Sequence, residues 1–533
     1  MKKIFVTAFA CISINAAFTQ QLDQLLKGHL NGSFENYSQY YMKDEKIGAA
    51  VPQDKVGSNS FLKLDYTFGK FTAGIQYESY LPSILGYYAL PQNQSKMVNK
   101  YFKYSEENFS VQIGDFYEQF GSGLIFRSFE NRQIGINNAL EGANIYIQPT
   151  NYTKVKAFYG RARKLFDYSN SITRGIDAEF DLTKMLSKKA KEHTTNITIG
   201  GSYVGRYQEY TGPMDNYPST VNSFATRIDI NSSNFSIDAE YVNKGQDPHL
   251  LNNNSFEKGK ALLINASFSK NNFGITLTAR GLSNMDFRSE RDVEFATLLP
   301  VNYVPALTKQ HDYLTSNIYV YNTQINGESG FQTDVYYSFK PGTKLGGKYG
   351  TKIAANFSYY GGLKNSNDIL SVGSNKFFSD ANIEVKKKWS KKLETTLALQ
   401  NIFYNASVIQ AASHPDVVAN VVAVSTLYKY GTQKSVRLKL EHLSTKEDQG
   451  NWASVIGEFS FASPYSFYFS DLYNYGTTGI HYYNVGASVT KNATRFSLGF
   501  GKQRAGLFCV GGVCRFVPAA YGFTATLTTS FGN

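Results

Sequence analysis

The chain closes on CVGGVCRFVPAAYGFTATLTTSFGN, residues 509–533, and the second half of this stretch decides the fold. Tyr521, Phe523, Ala525, Leu527, Thr529 and Phe531 fall on one face of an extended strand, and Gly522, Thr524, Thr526, Thr528 and Ser530 on the other. Successive side chains point to opposite sides of a strand, so one face is greasy and the other is polar. A single strand of this kind suits a soluble sandwich as well as a membrane barrel. The weight falls on whether the pattern repeats.

It repeats along the chain. Leu62, Leu64, Tyr66 and Phe68 alternate with Lys63, Asp65 and Thr67, turn at Gly69-Lys70, and continue as Phe71, Ala73, Ile75 and Tyr77. Phe224 to Ile230, Phe235 to Tyr241, Leu262 to Phe268, Phe273 to Ala279 and Val485 to Val489 read the same way. Each run is roughly ten residues, the length of a tilted membrane strand. The alternate positions carry charges of both signs, among them Glu78, Arg227, Asp229, Asp238, Glu240, Glu384, Lys386, Arg437 and Lys439. Such faces cannot meet in a dry core, so the apolar faces belong against lipid and the charged ones around a lumen.

Composition agrees. Aromatic residues make up 15%, with 39 Tyr and 39 Phe, and only 13 prolines interrupt 533 residues, which suits strands and interfacial girdles. After the N-terminus there is no apolar run long enough for a membrane helix. The opening MKKIFVTAFACISINAAFTQQ has two lysines, an apolar run and the small residues Ala16, Ala17 and Thr19, the pattern of a secretory signal peptide. The predicted organisation is therefore a signal peptide over 1–19 and one barrel domain over 20–533. Cys11 leaves with the signal peptide.

The remaining cysteines flank a Gly-Gly pair. Gly511-Gly512 suits a two-residue hairpin turn, which faces Cys509 and Cys514 across the ladder at disulfide distance, in a compartment that lets the bond persist. The expectation is a structural disulfide at a loop tip.

Connections are unequal. Gly69-Lys70, Pro149–Tyr152, Ser390–Lys392 and Lys491–Ala493 are tiny, whereas 43–59, 85–97, 117–142, 245–257, 283–329, 361–379 and 404–419 are long. The fold expected is all-β: a transmembrane antiparallel barrel of about 24 strands, between about 20 and 28, with short periplasmic turns, long extracellular loops and both termini periplasmic. The last strand, with Tyr521, Phe523, Leu527 and Phe531, then reads as a C-terminal assembly signal for outer-membrane insertion machinery. No plug domain is expected before the first strand at 28–42, and no peptidoglycan-binding domain after Phe531.

A barrel this wide stands open unless a loop folds in. FYEQFGSGLIFRSFENR, residues 116–132, is the candidate: Gly121 and Gly123 permit tight turns, Glu118, Arg127, Glu130 and Arg132 supply charge, and Arg161 and Arg163 arrive at the rim of the following hairpin. These six residues are the expected constriction or anion-binding loop, and the competing reading is a salt-bridged anchor to the wall.

FYEQFGSGLIFR, together with GSFENYSQYY near the N-terminus and CVGGVCRFVPAAYGF near the C-terminus, resembles a family of Bacteroidota outer-membrane β-barrel proteins. The resemblance covers essentially the whole mature chain and implies the fold and the outer membrane. It carries no ligand or reaction, so no site residue follows from it.

Chemistry is sparse. None of the seven histidines pairs at metal-ligand spacing. His414 in Ser413-His414-Pro415-Asp416 has no claim to a triad by adjacency alone. No cofactor, metal site or catalytic group is expected, and the protein is read as non-enzymatic. The net charge of +12, less two when Lys2 and Lys3 leave, suits anionic lipopolysaccharide or anion-leaning permeation, and nucleic acid is no partner of an exported barrel. The function expected first is a porin-like channel for polar solutes. The alternative is a loop-filled barrel acting as a scaffold or accessory subunit of a surface-protein assembly or secretion complex. A surface enzyme is third. Loop 283–329 holds Leu298-Leu299-Pro300-Val301 and Tyr303-Val304-Pro305, apolar enough either to bind surface protein partners or to pack inside the barrel mouth.

Overall fold

In the computed structural model, the described residues are 28–87, 89–186, 194–212, 216–295, 298–366, 368–462 and 464–532. The predicted signal peptide, Cys11 and His193 lie outside them.

Every long strand pairs antiparallel with its neighbours in sequence, and the first, His29–Tyr41, pairs with the last, Ala520–Gly532, which closes the sheet. The main sheet has 25 strands, of which the two-residue Asp167–Tyr168 is a stub on the Thr153–Lys164 strand. The other 24 form the ring. The expected strand number and closed all-β architecture are both found. Most strands have 10–13 residues; at about 3.3 Å per residue and a tilt of about 45° they rise about 25 Å, the height of a membrane-spanning apolar band.

The outward side is apolar and open. Ile113, Phe224, Leu440, Leu498 and Phe523 are exposed, while the alternates Gln76, Glu78, Asp177, Arg227, Glu240, Asp380 and Lys439 are buried. In a soluble protein that arrangement would be inverted. It is the arrangement of a barrel whose solvent outside is hydrocarbon.

Two-residue turns need the left-handed backbone, and Gly69 (φ 58), Asn271 (φ 55) and Asn492 (φ 53) provide it at one end of the barrel. Two connections at that same end are longer than the sequence reading allowed. The chain leaves Asp181 through the helix Leu182–Leu186, where the Asp181 carboxylate accepts the Lys184 N–H at 2.9 Å. Between Phe339 and Thr351, Pro341 lacks the donor that a ladder requires, and the chain forms a turn-rich loop instead. At the other end, 364–371 is shorter than the expected 361–379, because Thr351–Leu363 and Val372–Lys388 continue their pairing through bulges. Loops 208–219 and 504–519 at that end are also long.

Candidate functional site

The strand Phe109–Phe116 has only eight residues. It ends beside Leu140 half-way up the wall, and the chain turns into the lumen there. The stub closes the notch this leaves: Tyr168 Oη donates to Asp115 Oδ1 at 3.0 Å and Lys96 pairs with Asp167 at 2.8 Å. Inside, two small hairpins form, Gln119–Phe120 with Phe126–Arg127 and Glu130–Asn131 with Ile136–Asn137. Gly121 (φ 50) and Gly123 (φ 93) make the first turn. A Cβ at Gly121 would lie 2.6 Å from the Glu240 carboxylate of the wall.

The second inward loop, 284–326, lies against the first. Arg127 N–H donates to Val301 O at 3.0 Å, Tyr303 N–H to Gly123 O at 2.9 Å, and Asn138 Nδ2 to Pro300 O at 2.6 Å. Phe120, Leu124, Ile125 and Phe126 pack with Phe116 and Phe158 of the wall and with Met285, Phe287, Leu299 and Val301 of the second loop. Each such side chain, taken fully from water, contributes about 1.5–3 kcal/mol. The loops thus carry an apolar core of their own inside the barrel. A second one gathers Ile318, Tyr319 and Tyr321 against Tyr360, Phe378, Ile402, Tyr404 and Ile409.

Between these cores the loop is held by polar contacts to the wall. Lys309 reaches Asn382 at 2.9 Å and Glu384 at 3.2 Å. His311 Nε2 lies 2.6 Å from Asp380 Oδ2, and Asp312 accepts from Lys439 Nζ at 2.7 Å. Thr315 donates its N–H and its hydroxyl to Glu441 at 2.9 and 3.0 Å, and the Ser316 hydroxyl meets Gln400 at 2.6 Å. These residues form a polar clasp near mid-barrel.

The six residues expected to form one charged site are distributed. Glu118 holds Lys156 at 2.9 Å. Arg127 lies over the Tyr303 and Phe129 rings, 4.1 and 5.0 Å from their centroids. Three of the six share one chain of contacts across the wall. Arg163 bonds Glu78 at 2.6 and 2.9 Å, Gln76 bridges Glu78 and Glu130 at 2.9 Å each, and Arg132 joins Glu130 at 3.0 Å to Glu35 at 2.9 Å. The hollow among them is only about 30 Å³. Arg161 and Arg163 do not act together at a rim: Arg161 is exposed and pairs with Glu141 at 2.8 Å, while Arg163 is buried. The reason is local, since the strand top pairs with the stub at Arg163 and leaves the barrel register there.

The cysteines form their disulfide across the hairpin Gly506–Val510 and Val513–Val517. Gly511 (φ 58) and Gly512 (φ 78) both take the left-handed conformation that the primed turn requires. The tip is seated on both inward loops. Gly512 O accepts Ala306 N–H at 2.8 Å, Gly511 O accepts the Tyr303 hydroxyl at 3.0 Å, and Arg515 donates to Gln133 O at 3.0 Å and Gly86 O at 2.9 Å. Closing so short a loop contributes about 2 kcal/mol. Reduction is therefore expected to loosen this tip by that amount and leave the barrel intact. Limited proteolysis checks it: new cleavage confined to 504–519 on reduction is the expected outcome, with the gel mobility of the folded barrel unchanged.

A family model matches residues 1–531, and its description is a family of unknown function, DUF6029. The chain belongs to this family. No curated protein matches it. Among solved structures, this DUF6029 chain is similar to the translocation pore of the P pilus usher PapC, at TM-score 0.45 and 9% identity, covering 95% of this chain and 99% of that one. It is similar also to the siderophore receptor PirA from Pseudomonas aeruginosa (TM-score 0.41, 9% identity, 94% and 80% covered) and to the outer membrane transporter YddB from Escherichia coli (TM-score 0.39, 8% identity, 94% and 81% covered).

Sequence reading of this DUF6029 chain missed His311, Asp380 and Gln400. The signal available was the polar run Lys309–Asp312 between apolar stretches of one long loop, but nothing in one chain says which strands such a run will meet. His481 pairs with Asp471 at 2.6 Å, and His414 turns back to Pro415 O at 2.9 Å. Among the described residues no group of His, Cys, Asp and Glu is placed to hold a metal.

Proposed function

We propose that the protein is a non-enzymatic outer-membrane barrel whose lumen is closed by its own loops, serving as a scaffold or accessory subunit of a surface-protein assembly or secretion complex. A signal peptide over 1–19 exports it, both termini face the periplasm, and the long loops face outward. The last strand is the feature that insertion machinery reads. Its Phe531 ring lies across Gly32 of the first strand, where a Cβ would be 2.4 Å from the ring, so the signal sits at the closing seam. The net positive charge suits contact with lipopolysaccharide.

One observation carries this reading: the inward loops have packed apolar cores inside the barrel. A loop that only narrows an open channel has no need of one. The apolar residues of loop 283–329 divide accordingly. Leu299 and Val301 are buried within the lumen, while Phe295 is exposed near the outer end, as is Leu250 of the adjacent loop; these are the residues offered to a surface partner.

The channel reading keeps one supporting feature, a charged hollow of about 360 Å³ on the short-turn side of the clasp. Planar-bilayer recording decides between the two. The purified, inserted wild-type protein is expected to be electrically silent; steady openings would overturn the loop-filled reading and restore the porin.

A further inference from the structure

The lumen on the short-turn side of the clasp is basic along one wall. Lys352, Lys386, Arg437 and Lys439 line the hollow of about 360 Å³, with Asp312, Glu384 and Glu394. A second hollow of about 320 Å³ lies at the mouth, lined by Tyr349, Lys388, Lys391, Lys392 and Lys429. Glu394 and Leu427 belong to both linings, so the hollows adjoin. Eight cations thus face three carboxylates.

The carboxylates are engaged. Lys386 takes Glu394 at 2.6 Å, Lys439 takes Asp312 at 2.7 Å, and Glu384 takes Lys309 at 3.2 Å. Among the described residues, Lys352, Lys388, Lys391, Lys392 and Lys429 have no carboxylate partner. Five such ammonium groups in one concave wall repel one another. The wall at Arg227 shows the reverse, with the cation paired with Asp177 at 2.8 Å and Glu179 at 2.9 Å. Low-dielectric walls around a one-signed cleft focus its field and concentrate counter-ions.

We propose that this wall is a binding site for a multivalent anion of phosphate or carboxylate chemistry, entered from the short-turn end. The mouth lysines capture the anion, and Lys352 receives it deeper in, beside Arg437, which lies 3.5 Å from Glu458. The site is independent of whether the loops ever open, so it goes beyond the loop-filled reading and does not rest on it.

The test uses tripolyphosphate as probe, titrated calorimetrically into the full-length protein in detergent micelles. Binding is expected at low ionic strength and weakens as salt shortens the screening length from about 30 Å at 0.01 M to about 10 Å at 0.1 M. The triple variant Lys388→Glu, Lys392→Glu, Lys429→Glu is expected to weaken it at least about tenfold. The control reverses Lys270, Lys340 and Lys344, which line a hollow at the same end together with Phe273 and Tyr337. It makes the same change in net charge and is expected to leave binding within about twofold. Absent binding by the wild type, or equal weakening by both triples, overturns the proposal. Should the mouth triple lack the gel mobility of a folded barrel, the single variants Lys388→Gln and Lys429→Gln replace it, and unchanged binding in both overturns the proposal equally.

Discussion

Asp247→Ala is expected to destabilise the barrel by about 3–5 kcal/mol, the cost of stranding buried charge. Asp247 follows directly on the strand Phe235–Gln246, and it is fully buried with Arg206, which it pairs at its Oδ1. Lys244, also fully buried, lies 3.6 Å from the other oxygen. The surroundings add hydrogen bonds to main chain: Arg206 donates to Arg288 O at 3.3 Å, and Asn252 to Asp247 O at 2.8 Å. Removing the carboxylate leaves two cations without it in an interior that cannot solvate them. Urea unfolding in micelles, followed by gel mobility, reads the loss, and a change below about 1 kcal/mol would refute the role assigned to this cluster.

The same group makes a pH prediction. Burial pushes the Asp247 carboxyl up, but Arg206 and then Lys244 more than cancel that, so it sits below its usual value. A carboxyl depressed by folding stabilises the native state fully above its unfolded value of about 3.9 and loses that contribution as pH falls through its folded value. The stability gap between the wild type and Asp247→Asn is therefore expected to be constant from neutral pH down to about pH 4 and to narrow below it. A gap that widened on acidification would contradict the assignment.

Much of the fold was legible because a barrel writes itself as period 2. In the strand Lys434–Ser444, Val436, Leu438 and Leu440 alternate with Arg437, Lys439 and Glu441, and the two faces meet solvents so different that the register cannot slip. The Cys509–Cys514 bridge was legible for a similar reason, since both ends and the turn between them are local. The interior was legible only in part. That 116–142 would enter the lumen could be argued from its glycines and charges, but Arg161 and Arg163 were grouped by spacing alone, and a two-residue stub separates them. The clasp is wholly non-local: Thr315 and Glu441 are 126 residues apart, and no periodicity links a loop to the wall it will cross.

That clasp gives the largest functional effect expected. Replacing 308–316 by a Gly-Ser segment of equal length is expected to turn a silent barrel into one with steady openings. The replaced stretch contains Lys309, His311, Asp312, Thr315 and Ser316, and hence the contacts to Asp380, Asn382, Glu384, Gln400, Lys439 and Glu441. Leu299 and Val301 stay in one core and Ile318 and Tyr321 in the other, while Leu314 and Tyr313, the latter packed with Ala398 and Ala423 of the wall, are lost with the segment. Hydrogen bonds to charged groups contribute about 1.5–3 kcal/mol each, so Glu441→Gln with Asp380→Asn is expected to give brief, flickering openings rather than steady ones. The order of effects follows from the geometry: the cores hold the ends of the loop, and the polar contacts, together with Tyr313 packed with Ala398 and Ala423, hold its middle against the wall. An opening made there leads directly into the basic hollow, so the reversal potential in a salt gradient is expected to show anion preference. Silence in the replaced variant, with the folded barrel inserted, would place the barrier in the 117–139 hairpins and reduce the clasp to an anchor.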